Sequence, residues 1–179
     1  MNILIIKKGQ TRKVYVFKLF VIKVALIHWR SAYKNIIGWW KRDKRKALKI
    51  IGELFWGDYY NADFHPKANL FAGIHANLSE FIFYLRYRPA FCKPTYFTFL
   101  GLINIQKKGY VCEMPFEKFK ARMHLITNNE IPFQDHTFDS PNNFTCDNNH
   151  LQCIDYADSR IHKIIQNYGN KLFIDFFND

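Results

Sequence analysis

Asp139-Ser140-Pro141-Asn142-Asn143-Phe144 and, shortly after it, Leu151-Gln152-Cys153-Ile154-Asp155-Tyr156-Ala157 are the two most telling stretches of this chain. An Asp at the end of an apolar strand, with an Asn on the loop before it, offers two oxygen ligands to one hard cation. Mg²⁺ takes few such ligands from protein and completes its shell with phosphate and water. Asp155 and Asn143 are therefore the candidate metal ligands. Two further carboxylates, Asp139 and Asp135, lie upstream, with Asp139 the nearer to Asn143. This half of a site needs a second half that grips the phosphates.

The N-terminal third offers it. Residues 2–6 and 13–17 are β-rich and flank the turn-like Lys7-Lys8-Gly9-Gln10. Residues 19–25, Leu-Phe-Val-Ile-Lys-Val-Ala, form a third apolar run with Lys23 set inside it. A lone ammonium in such a run needs a partner or a cleft, because burying it unpaired is costly. Ala76-Asn77-Leu78-Ser79-Glu80-Phe81-Ile82-Phe83-Tyr84 reads as a helix carrying Glu80, and residues 94–106 read as two more strands. Residues 111–115 then have the character of a hinge.

Lysine, glutamate, strands, hinge, asparagine and aspartate in this order resemble the protein-kinase-like superfamily over residues 2–157. In size and basic character the chain is similar to small bacterial kinases of lipopolysaccharide sugars. The resemblance implies an α+β, kinase-like fold. Residues 1–114 would form an N-terminal antiparallel sheet plus helix, with a basic helical insertion at about 29–73, and residues 115–179 a minimal C-terminal lobe. It implies ATP and Mg²⁺ as cofactors, with Lys23 on the nucleotide phosphates and Glu80 as its ion-pair partner. The expected function is Mg-nucleotide binding, either with phosphate transfer to a small or lipid-linked acceptor or as a catalytically dead relative.

The departures shape that expectation. A kinase phosphate loop uses several glycines so that backbone amides approach the phosphates, whereas Gly9 stands alone here. The His-Arg-Asp triplet is absent, so the resemblance leaves Asp139, four residues before Asn143, or Asp135, eight before it, as the base that takes an acceptor hydroxyl's proton, and the short stretch after Asp155 leaves little room for peptide-binding helices. Protein substrates are accordingly disfavoured.

The 179 residues are 49% hydrophobic and 18% aromatic, which supplies a core and argues against global disorder. The net charge of +11 is lodged entirely in the first third: residues 1–60 hold 14 Lys and Arg against 3 acids, and the rest of the chain balances. Residues 29–55 carry apolar positions at helical spacing, with Gly38 as the expected break between two shorter helices. Lys41, Arg42, Lys44, Arg45 and Lys46 form a charge run that is either a solvated face or a seat for an anionic partner, membrane surface or nucleic acid. A basic nucleic-acid-binding protein acting through residues 29–55 is the rival function.

The apolar run 14–29 is broken by Lys18 and Lys23, so no transmembrane segment is expected, and no signal-peptide pattern opens the chain. The expected location is cytoplasmic or membrane-peripheral. Cys92, Cys112, Cys146 and Cys153 lack paired spacing and read as reduced, mostly buried thiols. Residues 57–73 and 128–149 read as loop, residues 117–127 as a helix, and residues 161–168 as a helix stopped by Gly169.

Overall fold

The computed structural model describes residues 5–56, 70–131, 138 and 140–178. The architecture is α+β. Strands β1 (Ile5–Lys8), β2 (Arg12–Val16) and β3 (Phe20–Ala25) follow one another as antiparallel neighbours, with Lys7 and Lys8, expected in the turn, paired inside β1. Helices α1 (Trp29–Arg42), α2 (Lys44–Trp56) and α3 (Ala72–Tyr87) come next, then β4 (Thr95–Phe99) and β5 (Ile103–Lys107). These five strands form one antiparallel sheet in the order β1-β2-β3-β5-β4. Helix α4 (Phe116–Ile126), the hairpin of β6 (Phe144–Asp147) and β7 (His150–Cys153), and helix α5 (Ser159–Asp175) complete the described elements.

The chain divides into two compact units, Met1–Leu78 with Thr98–Asn104, and Ser79–Phe97 with Ile105–Asp179. In the first unit the start of α3 lies directly on β2 and β3. Gly73 makes this possible: a Cβ there would overlap the Thr11 carbonyl oxygen and sit 2.9 Å from Ala25 Cα. Asn77, fully buried one turn later, then binds backbone on both sides, donating to the carbonyls of Gly101 at 2.8 Å and Lys23 at 3.3 Å. Its own carbonyl accepts from Asn104 Nδ2 at 2.8 Å. A polar side chain at this depth is tolerated because it closes hydrogen bonds that the strand ends leave open.

Helices α1 and α2 are separate, but the break falls at Asp43 rather than at Gly38. Asp43 is extended at φ −152°, and its carboxylate accepts from the Arg45 and Lys46 amides at 2.9 and 3.2 Å. It therefore caps the start of α2. Gly38 merely continues α1.

The second unit holds the main core. Phe91, Phe119, Phe138 and Phe144 are fully buried around one another, with Phe144 ring centroids 5.1 to 6.0 Å from the other three. The expectation of loop through 128–149 is corrected at its end, where β6 pairs with β7 across a turn at Asn148-Asn149. Both turn residues have positive φ, 52° and 61°, the signature of a tight hairpin turn that asparagine accepts readily. The stop at Gly169 is also corrected, because α5 runs on to Asp175. Gly169 serves close packing instead: a Cβ there would crowd Phe91 Cβ at 3.4 Å and Ile165 Cγ2 at 3.2 Å. The loop expected at 57–73 lies outside the described residues up to 69, while Gly73 belongs to α3.

Candidate functional site

The β6–β7 hairpin places the two candidate metal ligands. Phe144 pairs with Cys153, and beyond that pair the Ile154 amide donates to the Asn143 carbonyl at 2.9 Å. Asn143 and Asp155, distant in sequence, thus leave the same end of one hairpin. Asn143 closes a short 3-10 turn, Pro141–Asn143, and both residues are half-buried. Among the described residues no group of three or more His, Cys, Asp or Glu is gathered as a metal cage. The contact that brings Asn143 and Asp155 near one another is the backbone bond from the Ile154 amide to the Asn143 carbonyl.

Three sets of bonds hold this hairpin in place, the first at the Asn143–Asp155 end and the other two nearer the Asn148-Asn149 turn. The segment before β4 runs beside β7, with Cys153 N donating to Phe91 O at 2.7 Å and Lys93 N to Cys153 O at 2.9 Å. On the other side the Cys146 amide donates to Tyr110 O at 2.8 Å. The third is a buried polar belt. The Lys93 ammonium, 1% exposed, pairs with the Asp147 carboxylate, which also accepts from the Tyr110 amide at 3.1 Å. Burying a lysine this deeply requires such a partner.

Tyr156, next to Asp155, is fully buried. Its hydroxyl donates to Lys93 O at 2.8 Å and lies 2.8 Å from the Thr95 hydroxyl. Gln106 Nε2 donates toward Lys93 O as well, at 3.4 Å. Burial pushes the Tyr156 phenol well above its ordinary range, and the nearby Cys92 and Glu80 charges push the same way. The ring is thus a neutral anchor that fixes the backbone on which Asp155 sits.

Glu80, on the part of α3 belonging to the second unit, is fully buried. Its neighbour Ser79 donates to Ala157 O at 2.6 Å, and Phe83 stacks on His162 with ring centroids 3.8 Å apart. His162 Nε2 donates to Tyr156 O at 2.7 Å. Burial lowers its pKa, against the opposing pull of that hydrogen bond and of the Asp158 and Glu80 carboxylates. Asp158 caps α5 through the Arg160 amide at 2.8 Å and grips the Arg160 guanidinium.

The remaining sequence candidates are distributed as follows. Lys23 lies on β3 opposite Val14, 5% exposed, in the first unit, and Glu80 in the second. Asp135 and Asp139 lie outside the described residues. Phe138 went unnoticed in the sequence. It stands five residues before Asn143, where a kinase catalytic loop carries its basic Asp, and it is fully buried with its ring 5.7 Å from that of Phe144. Counting back from Asn143 by the family spacing would have found it. The buried belt of Lys93, Thr95 and Gln106 carried no comparable signal.

Cys92, Cys112, Cys146 and Cys153 are free thiols, and all but Cys146 are buried. Burial, with Cys146 beside it, raises the Cys112 pKa to about 11. No helix among the described residues is long and apolar enough to cross a membrane. No family model, curated protein or solved structure matches the chain.

Proposed function

We propose that the chain is a small kinase-like protein that binds Mg-nucleotide and does not transfer its phosphate. The observation that carries this reading is the convergence of Asn143 and Asp155 at one end of the β6–β7 hairpin, through the Ile154 amide on the Asn143 carbonyl. The hairpin supplies the oxygen pair, and buried Tyr156 holds the backbone of Asp155 steady. Mg²⁺ supplies charge neutralisation for the nucleotide phosphates when bound.

The restriction to binding rests on Phe138. Phosphoryl transfer to a hydroxyl uses a carboxylate to take the proton, at a fixed distance from the metal-binding Asn in the catalytic loop. Here an aromatic ring occupies that sequence position and is packed into the core. Titration with a fluorescent ATP analogue tests both parts. Binding is expected with Mg²⁺ and is lost on chelation or in Asp155→Ala. No turnover of ATP is expected with or without small acceptors. ATP turnover abolished by Asp139→Asn would return the base to Asp139 and overturn the binding-only part.

A further inference from the structure

We infer that helices α1 and α2 form a docking face for an anionic lipid bilayer. This inference stands on the first unit alone and does not depend on nucleotide binding. The first 42 residues contain no Asp or Glu. Asp43, the first acid, has its carboxylate turned to the amides of Arg45 and Lys46 as a helix cap. Lys41, Arg42, Lys44, Arg45 and Lys46 are all exposed. Such a cluster, unbalanced by nearby acid, is complementary to a negative lipid surface, where each cation near the headgroups adds to attraction.

Charge alone does not select a bilayer. The second observation is apolar. Trp29, Tyr33 and Trp40 recur at one- and two-turn spacing along one face of α1 and are 63%, 66% and 46% exposed. Leu48, on α2 between Arg45 and Lys49, is 58% exposed. The inward side of the pair is satisfied separately by Ala32 and Ala47, both buried. A helix with Trp and Tyr along one face and Lys and Arg along the next lies in the plane of a membrane interface, its rings at headgroup depth.

An exposed aliphatic side chain among cations favours lipid over nucleic acid. Aromatic rings stack on bases, but leucine has no flat face to offer them. Leu48 gains only where an acyl boundary receives it. The bilayer is therefore the partner that uses the cations, the rings and the leucine together.

Co-sedimentation of the full chain with vesicles of phosphatidylglycerol and phosphatidylcholine, against pure phosphatidylcholine, tests this. Binding to the anionic vesicles is expected, with a blue shift in tryptophan emission and at least about tenfold weaker binding to the neutral ones. Changing the five cations of residues 41–46 to Gln is expected to weaken it at least about tenfold. A Tyr33→Ser, Leu48→Gln variant, which keeps every charge, is expected to lose most of the binding too. Raising salt on the wild-type chain must reproduce the loss without any substitution. Equal binding to both vesicle types overturns the inference, as does unchanged binding by the Tyr33→Ser, Leu48→Gln variant. Tighter binding to a single-stranded oligonucleotide, insensitive to Leu48→Gln, would also overturn it and make the face a nucleic-acid interface.

Discussion

The α1–α2 pair and the belt beneath the β6–β7 hairpin handle charge in opposite ways. On α1–α2 the cations are exposed and outnumber the acids, and the one acid between the helices is spent on a cap. In the second unit the buried Lys93 is matched by Asp147, and the buried Asp158 by Arg160. Exposed charges contribute little to stability and remain available to partners. Buried ones are held by their partners and, when one is removed, leave the other stranded. The first arrangement leaves its charges open to solvent and to partners, and the second ties together segments of the second unit.

That contrast breaks most visibly at Asp147. Asp147→Ala strands the Lys93 ammonium and frees the Tyr110 amide. It is expected to cost about 3 kcal/mol or more, a fall of about 6–12 °C in melting temperature for a chain this size. Adding Lys93→Met to it is expected to recover much of the loss, since apolar replacement of a buried pair is often neutral. A single variant that melts like the wild type would mean that this pair is no more structural than a surface one.

Tyr156→Phe has a smaller expected effect. It keeps the ring in place but removes the hydroxyl shared by Thr95 and the Lys93 carbonyl. About 1–3 kcal/mol of stability is expected to go, measured by urea unfolding. A neutral result would show that the hydroxyl is not part of what positions Asp155.

His162 gives the contrast a pH axis. Its folded pKa lies below the ordinary value of 6.5, because burial disfavours the imidazolium. The unfolded chain therefore binds the extra proton first as pH falls. The stabilisation is complete above about pH 6.5 and is lost as pH drops toward the folded pKa. His162→Gln, which can still donate to Tyr156 O, is expected to flatten the stability profile between pH 7 and 5 relative to wild type. Parallel profiles for the two proteins would place the proton elsewhere.

At the small end, changing Lys41, Arg42, Lys44, Arg45 and Lys46 to Gln is expected to alter stability by no more than about 1 kcal/mol. A large loss on thermal melting would mean that these cations are scaffolding as well.

The periodic parts of the fold were legible from the residues. Strands β2 to β5 declare themselves as β-rich apolar runs, and helix α4 by apolar positions near period 3.6. The misread points are those where one residue type serves two ends. Gly38 and Gly169 look like breaks, yet only tertiary packing reveals that Gly169 admits Phe91 and that Asp43 does the capping. Strand β6 was hidden because Asn and Asp flank it, although Asn148-Asn149 is itself a hairpin signal. Asn143 and Asp155 were singled out as candidates from order and residue type, but the hairpin that joins their backbones was not legible. The belt that holds them was not, because Lys93, Thr95 and Tyr156 meet only through the fold.

Thermal melting of the wild-type chain and of Asp155→Ala, each with and without ATP and Mg²⁺, tests the central claim most directly. At a nucleotide concentration 100 times the dissociation constant, the folded state gains about 2.7 kcal/mol, or about 5–10 °C. That shift is predicted for the wild type with Mg²⁺, and no shift for Asp155→Ala or for the wild type with chelator. An unmoved wild-type melting temperature at millimolar Mg-ATP, or an equal shift in Asp155→Ala, would contradict a metal-nucleotide site at Asn143 and Asp155.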